Sequence, residues 1–341
     1  MRVGILTGGG DCPGLNAAIR AVVFRLLDLG HEPIGISRGW LGLIDRITEP
    51  LSLQRVEEII SAGGTIIGAS RANPLKRDED LEKCLSNVKS LGLHAIIAMG
   101  GEDTLGVAES LFKLGVKAVG IPKTMDNDLS GTDYTFGFDT AVTVAVDAVD
   151  RLRDTARSHH RTMVLEVMGR HAGWVALYTA IAGGADWVLI PEVAPDLDEM
   201  CAHLSALRKR GKPYSIVVAS EGIALPHAEE EGISVDAFGH VILREKGVGD
   251  LLAKEIESRI GVETRSAVLG HIQRGGSPTV FDRILATRLG LKAAEMVGAG
   301  EFGRMSAIRG GEIVSVNLTE AVSELKTVPP ALYEEAKLLF R

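Results

Sequence analysis

Short runs in which almost every position is apolar recur along the chain, each closed by glycine or another turn former. "RVGILTGGG" leads into "GLNAAIRAVVFRLLDLG", and "HAIIAMGGEDT" into "LGVAESLFKLG". "KAVGIPKTMDND", "TMVLEVMGR", "SIVVASEG" and "SAVLGHIQRGG" follow the same scheme. In the intervening segments apolar positions return every three or four residues, the period of an amphipathic helix. A strand that is apolar on both faces needs cover on both, which crossover helices supply to parallel sheets. The pattern therefore predicts an α/β protein with mainly parallel sheets. Ligands of such sheets bind beyond the carboxyl ends of the strands. The polar motifs collect at those ends: Gly8 to Asp11, Gly100 to Thr104, Pro122 to Asp128, Met168 to Arg170, Glu221, and His271 to Arg274.

One stretch breaks the alternation. "IALPHAEEEGISVDAFGHVILREKG" reads as an inserted turn and hairpin, with Glu229 to Glu231 as a solvated tip. No linker rich in Pro, Gly or Ser divides the chain, and there is no internal repeat. A length of 341 residues predicts about two domains.

Charge and composition narrow the function. Against 37 basic residues stand 45 acidic ones, a net charge of -8, which argues against nonspecific nucleic-acid binding. Aromatics are only 4%, too few for base-stacking platforms. Cys12, Cys84 and Cys201 are odd in number, widely spaced and without a CxxC pair, so neither disulfides nor a structural zinc site is expected. With no signal-peptide pattern and no run of about 18 apolar residues, a soluble cytoplasmic protein is expected, without membrane contact.

Three constellations carry candidate chemistry. In "TGGGDCPGLNAAIR" three glycines end a strand before a helix, where backbone N–H groups suit an anion. The stretch lacks the Lys-Ser/Thr of a P-loop, and Pro13 stands at the third glycine position of a dinucleotide fingerprint. A tight strand-to-helix turn explains it equally well. In "PKTMDNDL" the carboxylates of Asp126 and Asp128 alternate around Asn127; so close, they compete for protons and one can act as a base. They suit Mg²⁺ as well, and the bland alternative is a turn that caps a helix. Lys123, just before them, favours a bound phosphate. The third is a set of arginines, Arg71, Arg161, Arg170, Arg265 and Arg274, joined by His271. Arginine grips phosphate bidentately, and several at strand ends of an acidic protein point to a phosphorylated metabolite. Taken singly, each is more simply a surface ion pair. His159 and His160 read as a helix end, and Trp174 and Trp187 as core.

Together "LTGGGDCPGLNAAIR", "GGEDT", "PKTMDNDL", "EVMGRHAGW", "ASEGI" and "LGHIQRGGSP" resemble, in order and over essentially the whole chain, the signature segments of the phosphofructokinase family. The resemblance implies two similar Rossmann-like α/β/α domains in the phosphofructokinase fold. One would take residues 1–137 and about 273–323 and bind the phosphoryl donor. The other would take about 138–272 and 324–341 and bind fructose 6-phosphate. It implies phosphoryl transfer to the 1-hydroxyl of that sugar, with Mg²⁺, in a homo-oligomer, dimer or tetramer. Carried over residue by residue, Asp126 becomes the base, with Thr124 and Asp128 beside it on the sugar, and Glu102 the metal-binding acid. Gly10 and Arg71 reach the donor phosphates. Met168, Gly169, Arg170, Glu221, His271 and Arg274 match sugar-phosphate contacts, and Arg161 and Arg265 match arginines that cross to a neighbouring subunit's site.

The donor turns on two departures. ATP-dependent members have glycine where this chain has Asp103 and Lys123, because ATP needs room there for its α-phosphate and nucleoside. A carboxylate in that space costs on the order of 4 kcal/mol against a like charge at about 4 Å and an effective dielectric of about 20. Pyrophosphate has no α-phosphate to exclude, and Lys123 gives it a cation. Members with this Asp and Lys pair are pyrophosphate-dependent, so pyrophosphate is the expected donor, with ATP as the alternative. Other readings are a non-catalytic sugar-phosphate sensor, against which the intact Asp126, Asp128 and Glu102 speak, and an NAD or lipid kinase, which would lack "GHIQRGG". Arg20, Arg210 and Lys212 match basic residues of the effector site of allosteric members, but Phe24 stands where another arginine is expected.

Overall fold

The computed structural model describes residues 1–225 and 247–340. The inserted hairpin with Glu229 to Glu231 lies outside the described residues. Eleven strands are described: β1 Arg2–Thr7, β2 Glu32–Ile36, β3 Thr48–Pro50, β4 Leu93–Gly100, β5 Ala118–Pro122, β6 Thr162–Val167, β7 Trp187–Leu189, β8 Ser215–Ser220, β9 Thr264–Val268, β10 Arg304–Arg309 and β11 Glu312–Asn317. They form two sheets, with orders β11-β10-β5-β4-β1-β2-β3 and β7-β8-β6-β9.

The smaller sheet is parallel throughout. The larger one is parallel except at its edges, where β3 and β11 run antiparallel. Periodicity alone did not reveal these edges: β3 is only three residues long and β11 is half-buried. β10 and β11 are joined by Gly310 and Gly311, both at positive φ (56° and 86°), as a two-residue hairpin requires.

Both faces of the larger sheet are covered, as its doubly apolar strands demand. Val3, Ile5, Ile97 and Met99 point into one core, with the helices Leu15–Asp28 and Val280–Ala299. Their neighbours Leu6, Ile96 and Ala98 point into another, with Trp40 and the helix Glu102–Lys113. A third core surrounds the smaller sheet and takes in Val328, Tyr333 and Phe340 from the C-terminal segment.

The chain passes between the sheets more than once. The helix Phe138–His159 carries it to the smaller sheet, and Val280–Ala299 brings it back beside Leu15–Asp28. The two crossing helices are tied at their starts. Thr140 donates to Asp282 Oδ2 through its N–H (2.8 Å) and hydroxyl (2.5 Å), and Thr279 Oγ1 donates to Asp139 Oδ2 at 2.6 Å.

Close packing of the returning helix depends on Gly290. A Cβ there would lie 2.7 Å from the carbonyl oxygen of Ala18 and 3.0 Å from Cβ of Ala21. Gly290→Ala gains about 1 kcal/mol of helix propensity but forces the helices apart, at a cost of about 1–3 kcal/mol. It is expected to lower the melting midpoint by about 2–4 °C in thermal denaturation followed by circular dichroism; a rise would show that the helices tolerate a methyl group.

Candidate active site

Three turns of the larger sheet meet beyond its carboxyl edge. The turn after β1 is Gly8-Gly9-Gly10-Asp11, and packing is tightest at Gly8. A Cβ on Gly8 would meet Thr104 Oγ1 at 2.4 Å, and one on Gly10 would meet Arg274 Nη1 at 2.6 Å. Gly9 sits at φ 74°, in the left-handed region that only glycine enters freely. After β4, Gly101 precedes the helix Glu102–Lys113, so Glu102 and Asp103 occupy its first turn. After β5 the chain leaves as Lys123-Thr124-Met125-Asp126-Asn127-Asp128.

These turns and the ends of the smaller sheet's strands enclose a cleft of about 300 Å³. Of the residues singled out in the sequence, Gly10, Arg71, Glu102, Asp103, Lys123, Thr124, Asp126, Asp128, Met168, Arg170, Glu221, His271 and Arg274 line it. Gly169 sits between two lining residues at φ 139°, where a Cβ would meet the Ala172 oxygen and Ser220 Oγ, each at 2.8 Å. Met168 is held by Gln273, whose Oε1 accepts its N–H at 2.8 Å while Nε2 donates to the Ala141 carbonyl at 3.3 Å. Sequence reasoning missed Gln273, though it lies inside the "HIQRGG" motif, because burial and not chemistry defines its part.

The electrostatics are unusual on both sides. Lys123 is 3% exposed and its Nζ donates to the Gly10 carbonyl at 2.5 Å. Burial lowers its pKa. Burial, reinforced by the Asp126 charge, pushes Asp128 up to about 7, against the Thr124 hydroxyl, which lowers it. Glu221 is raised for the same two reasons, burial first. The Asp126 N–H donates to Thr124 Oγ1 at 3.1 Å, and its Oδ1 is buried without a hydrogen-bond partner.

That orphan oxygen, with Glu102 and Asp128 in the same cleft, fits Mg²⁺. The ion takes hard oxygens, usually one or two carboxylates, and completes its shell with phosphate oxygens and water. Among the described residues no group of three or more His, Cys, Asp or Glu side chains forms a metal site on its own.

Arg161 and Arg265 do not line the cleft. Arg161 sits just before β6 and Arg265 is the second residue of β9; both pair with Glu263, at 3.2 and 2.9 Å. Of the effector-type residues, Arg20 stacks over Phe24 at 4.2 Å and donates to the Glu57 carbonyl, and Lys212 pairs with Asp186. His159 ends its helix, and Trp174 and Trp187 are buried. Cys12, Cys84 and Cys201 are buried thiols. Among the described residues no helix is long and apolar enough to cross a membrane. Leu325 and His171 also line the cleft, and no motif pointed to the first.

Known proteins share this build. A family model described as "Phosphofructokinase" matches residues 2–297. The pyrophosphate–fructose 6-phosphate 1-phosphotransferase of Dictyoglomus thermophilum is 54% identical over all of this chain and 99% of its own. ATP-dependent 6-phosphofructokinase 3 of Streptomyces coelicolor is 50% identical over 99% of each chain. Among solved structures, Pichia pastoris phosphofructokinase in the T-state matches 94% of this chain at 32% identity and a TM-score of 0.82, and this chain spans 35% of that one. The chain belongs to the phosphofructokinase family.

Proposed function

We propose that this protein is a cytoplasmic enzyme that transfers a phosphoryl group from pyrophosphate to the 1-hydroxyl of fructose 6-phosphate, giving fructose 1,6-bisphosphate and phosphate. The reaction is reversible and serves glycolysis or gluconeogenesis. The observation that carries the choice of donor is Asp103, in the first turn of the helix Glu102–Lys113, lining the same cleft as the buried Lys123. The relative of 54% identity named for pyrophosphate supports it; the relative of 50% identity named for ATP keeps ATP as the second reading.

The proposed roles join position in the cleft to the family resemblance. The larger sheet, residues 1–137 with about 273–323, receives the donor. The smaller sheet, about 138–272 with 324–341, receives the sugar. Gly10, Arg71, Asp103 and Lys123 surround the donor phosphates. Phosphoryl transfer asks for alignment and charge neutralisation more than covalent chemistry. Asp126 accepts the proton of the sugar hydroxyl, while Thr124 holds the turn through the Asp126 N–H. Asp128, Met168, Gly169, Arg170, Glu221, His271 and Arg274 orient the sugar phosphate. Glu102 would hold Mg²⁺, which when bound neutralises charge on the phosphates. Arg161 and Arg265 serve the 6-phosphate of a neighbouring subunit, in a dimer or tetramer. Neither arginine lines the cleft of its own chain, as that role requires.

The decisive assay compares fructose 1,6-bisphosphate formation with Mg²⁺ and either donor. Pyrophosphate is expected to give a kcat/KM at least about a hundredfold above that of ATP, as a few kcal/mol of exclusion requires. Asp103→Gly should narrow that ratio at least about tenfold; an unchanged ratio refutes the charge and volume argument.

Sharing of sites is tested by complementation. Asp126→Ala should lower kcat at least about a hundredfold, as loss of a general base does, and Arg161→Ala should cripple sugar binding. Refolding the two variants together is expected to restore part of the activity. No recovery in mixed oligomers would speak against arginines crossing the interface.

The pH profile reports the acidic pair. With its pKa raised to about 7, Asp128 takes up a proton as pH falls through neutrality. Wild-type kcat/KM should fall on that side, and Asp128→Asn, permanently neutral, should be slow and lose the step near pH 7. An identical acid limb in both would assign it to the substrates.

A further inference from the structure

We propose that Lys326 is a positioning residue for phosphoryl transfer: it fixes the Asp126-Asn127-Asp128 turn so that both carboxylates face the cleft, and it ties that turn to the helix Trp174–Gly183 under the smaller sheet. This rests on the reading of the cleft as a phosphoryl-transfer site.

The C-terminal segment around Lys326 runs beside the turn as a strap. Leu325 lines the cleft and forms an antiparallel bridge with Leu129. The Lys326 N–H donates to the Asp128 carbonyl at 2.8 Å, and its own carbonyl accepts from Trp174 Nε1 at 2.7 Å. Two residues on, Val328 N–H donates to Glu192 Oε1 at 2.8 Å, an oxygen that also accepts from Gly173 N–H at 2.9 Å. The strap is thus fastened to both sides of the cleft.

The side chain acts on the middle of the turn. An ammonium has three donors, and all three are used: Asn127 Oδ1 at 3.1 Å, the Thr132 carbonyl at 3.1 Å and the Asp133 carbonyl at 2.8 Å. Asn127, between the two carboxylates, is 1% exposed and sits at φ 53°. Asparagine tolerates this left-handed region better than other side chains, more so when its amide is held in place. Here the Asn127 amide oxygen is pinned from two sides, by Lys326 and by the Thr135 N–H at 3.1 Å. Burial lowers the pKa of Lys326 to about 8 against the Asp133 and Asp128 charges, so the ammonium persists at neutral pH, 5.4 Å from the Trp174 ring.

The test is Lys326→Met, which keeps the stem and removes the three donors. kcat with pyrophosphate is expected to fall at least tenfold while the Kd for fructose 6-phosphate, by calorimetry, stays within threefold. In Lys326→Ala, propylamine should restore at least fivefold more turnover than propanol. Wild-type kcat in Lys326→Met, equal losses of kcat and sugar binding, or equal rescue by propanol would each overturn the proposal. Should these variants fail to fold, Trp174→Phe, which deletes the indole donor and keeps an aromatic ring in the core, is expected to lower kcat about threefold, and an unchanged kcat would overturn the link to the helix. Wild-type enzyme inactive with either donor would sink the phosphoryl-transfer reading itself; active wild type with an indifferent Lys326 sinks only the role of Lys326.

Discussion

A lysine ammonium shut away from water holds the candidate site together. Lys123 leaves β5 and donates to the Gly10 carbonyl at the turn after β1, so two strand ends are fixed by one buried cation. Burial disfavours the charged form, and the carboxylates of Asp11 and Asp126 are among the groups that support it. An anionic donor in the same cleft would support it further. Of the glycines in this turn, Gly8 answers to packing, since a Cβ there would strike the Thr104 side chain, and Gly9 to its φ of 74°.

Helix ends divide the labour between the turns. A helix N-terminus attracts an anion through its free N–H groups and macrodipole. The helix Leu15–Asp28, after the glycine turn, has no acid in its first turn. The helix Glu102–Lys113 fills its first turn with Glu102 and Asp103. Gly9 and Gly10 of the first turn and Glu102 and Asp103 of the second line the same cleft, so between these two turns its charge is set chiefly by the second.

Because the chain crosses between the sheets more than once, neither sheet builds the cleft alone. The ties from Thr140 to Asp282 and from Thr279 to Asp139 register the crossing helices. Gln273 then reaches back to fix Met168, and the C-terminal strap closes beside Asp128. Glu263 gathers Arg161 and Arg265 away from this cleft.

The sequence by itself determined the parallel α/β character, the main strands, and the strand-end motifs that meet in the cleft. Those features are local: doubly apolar strands, helical periods, and glycine turns where the backbone must pass closely. The antiparallel edges β3 and β11 were not legible, because short or half-buried strands carry little periodic signal. Nor were Gln273, Leu325 and Lys326, whose parts come from contacts across 105, 196 and 199 residues of chain, with Met168, Leu129 and Asn127. Only the tertiary structure decided that Lys123 is buried and that the Asp126 oxygen lacks a partner. Burial and desolvation belong to the packed molecule, and they set the charges on which the chemistry depends.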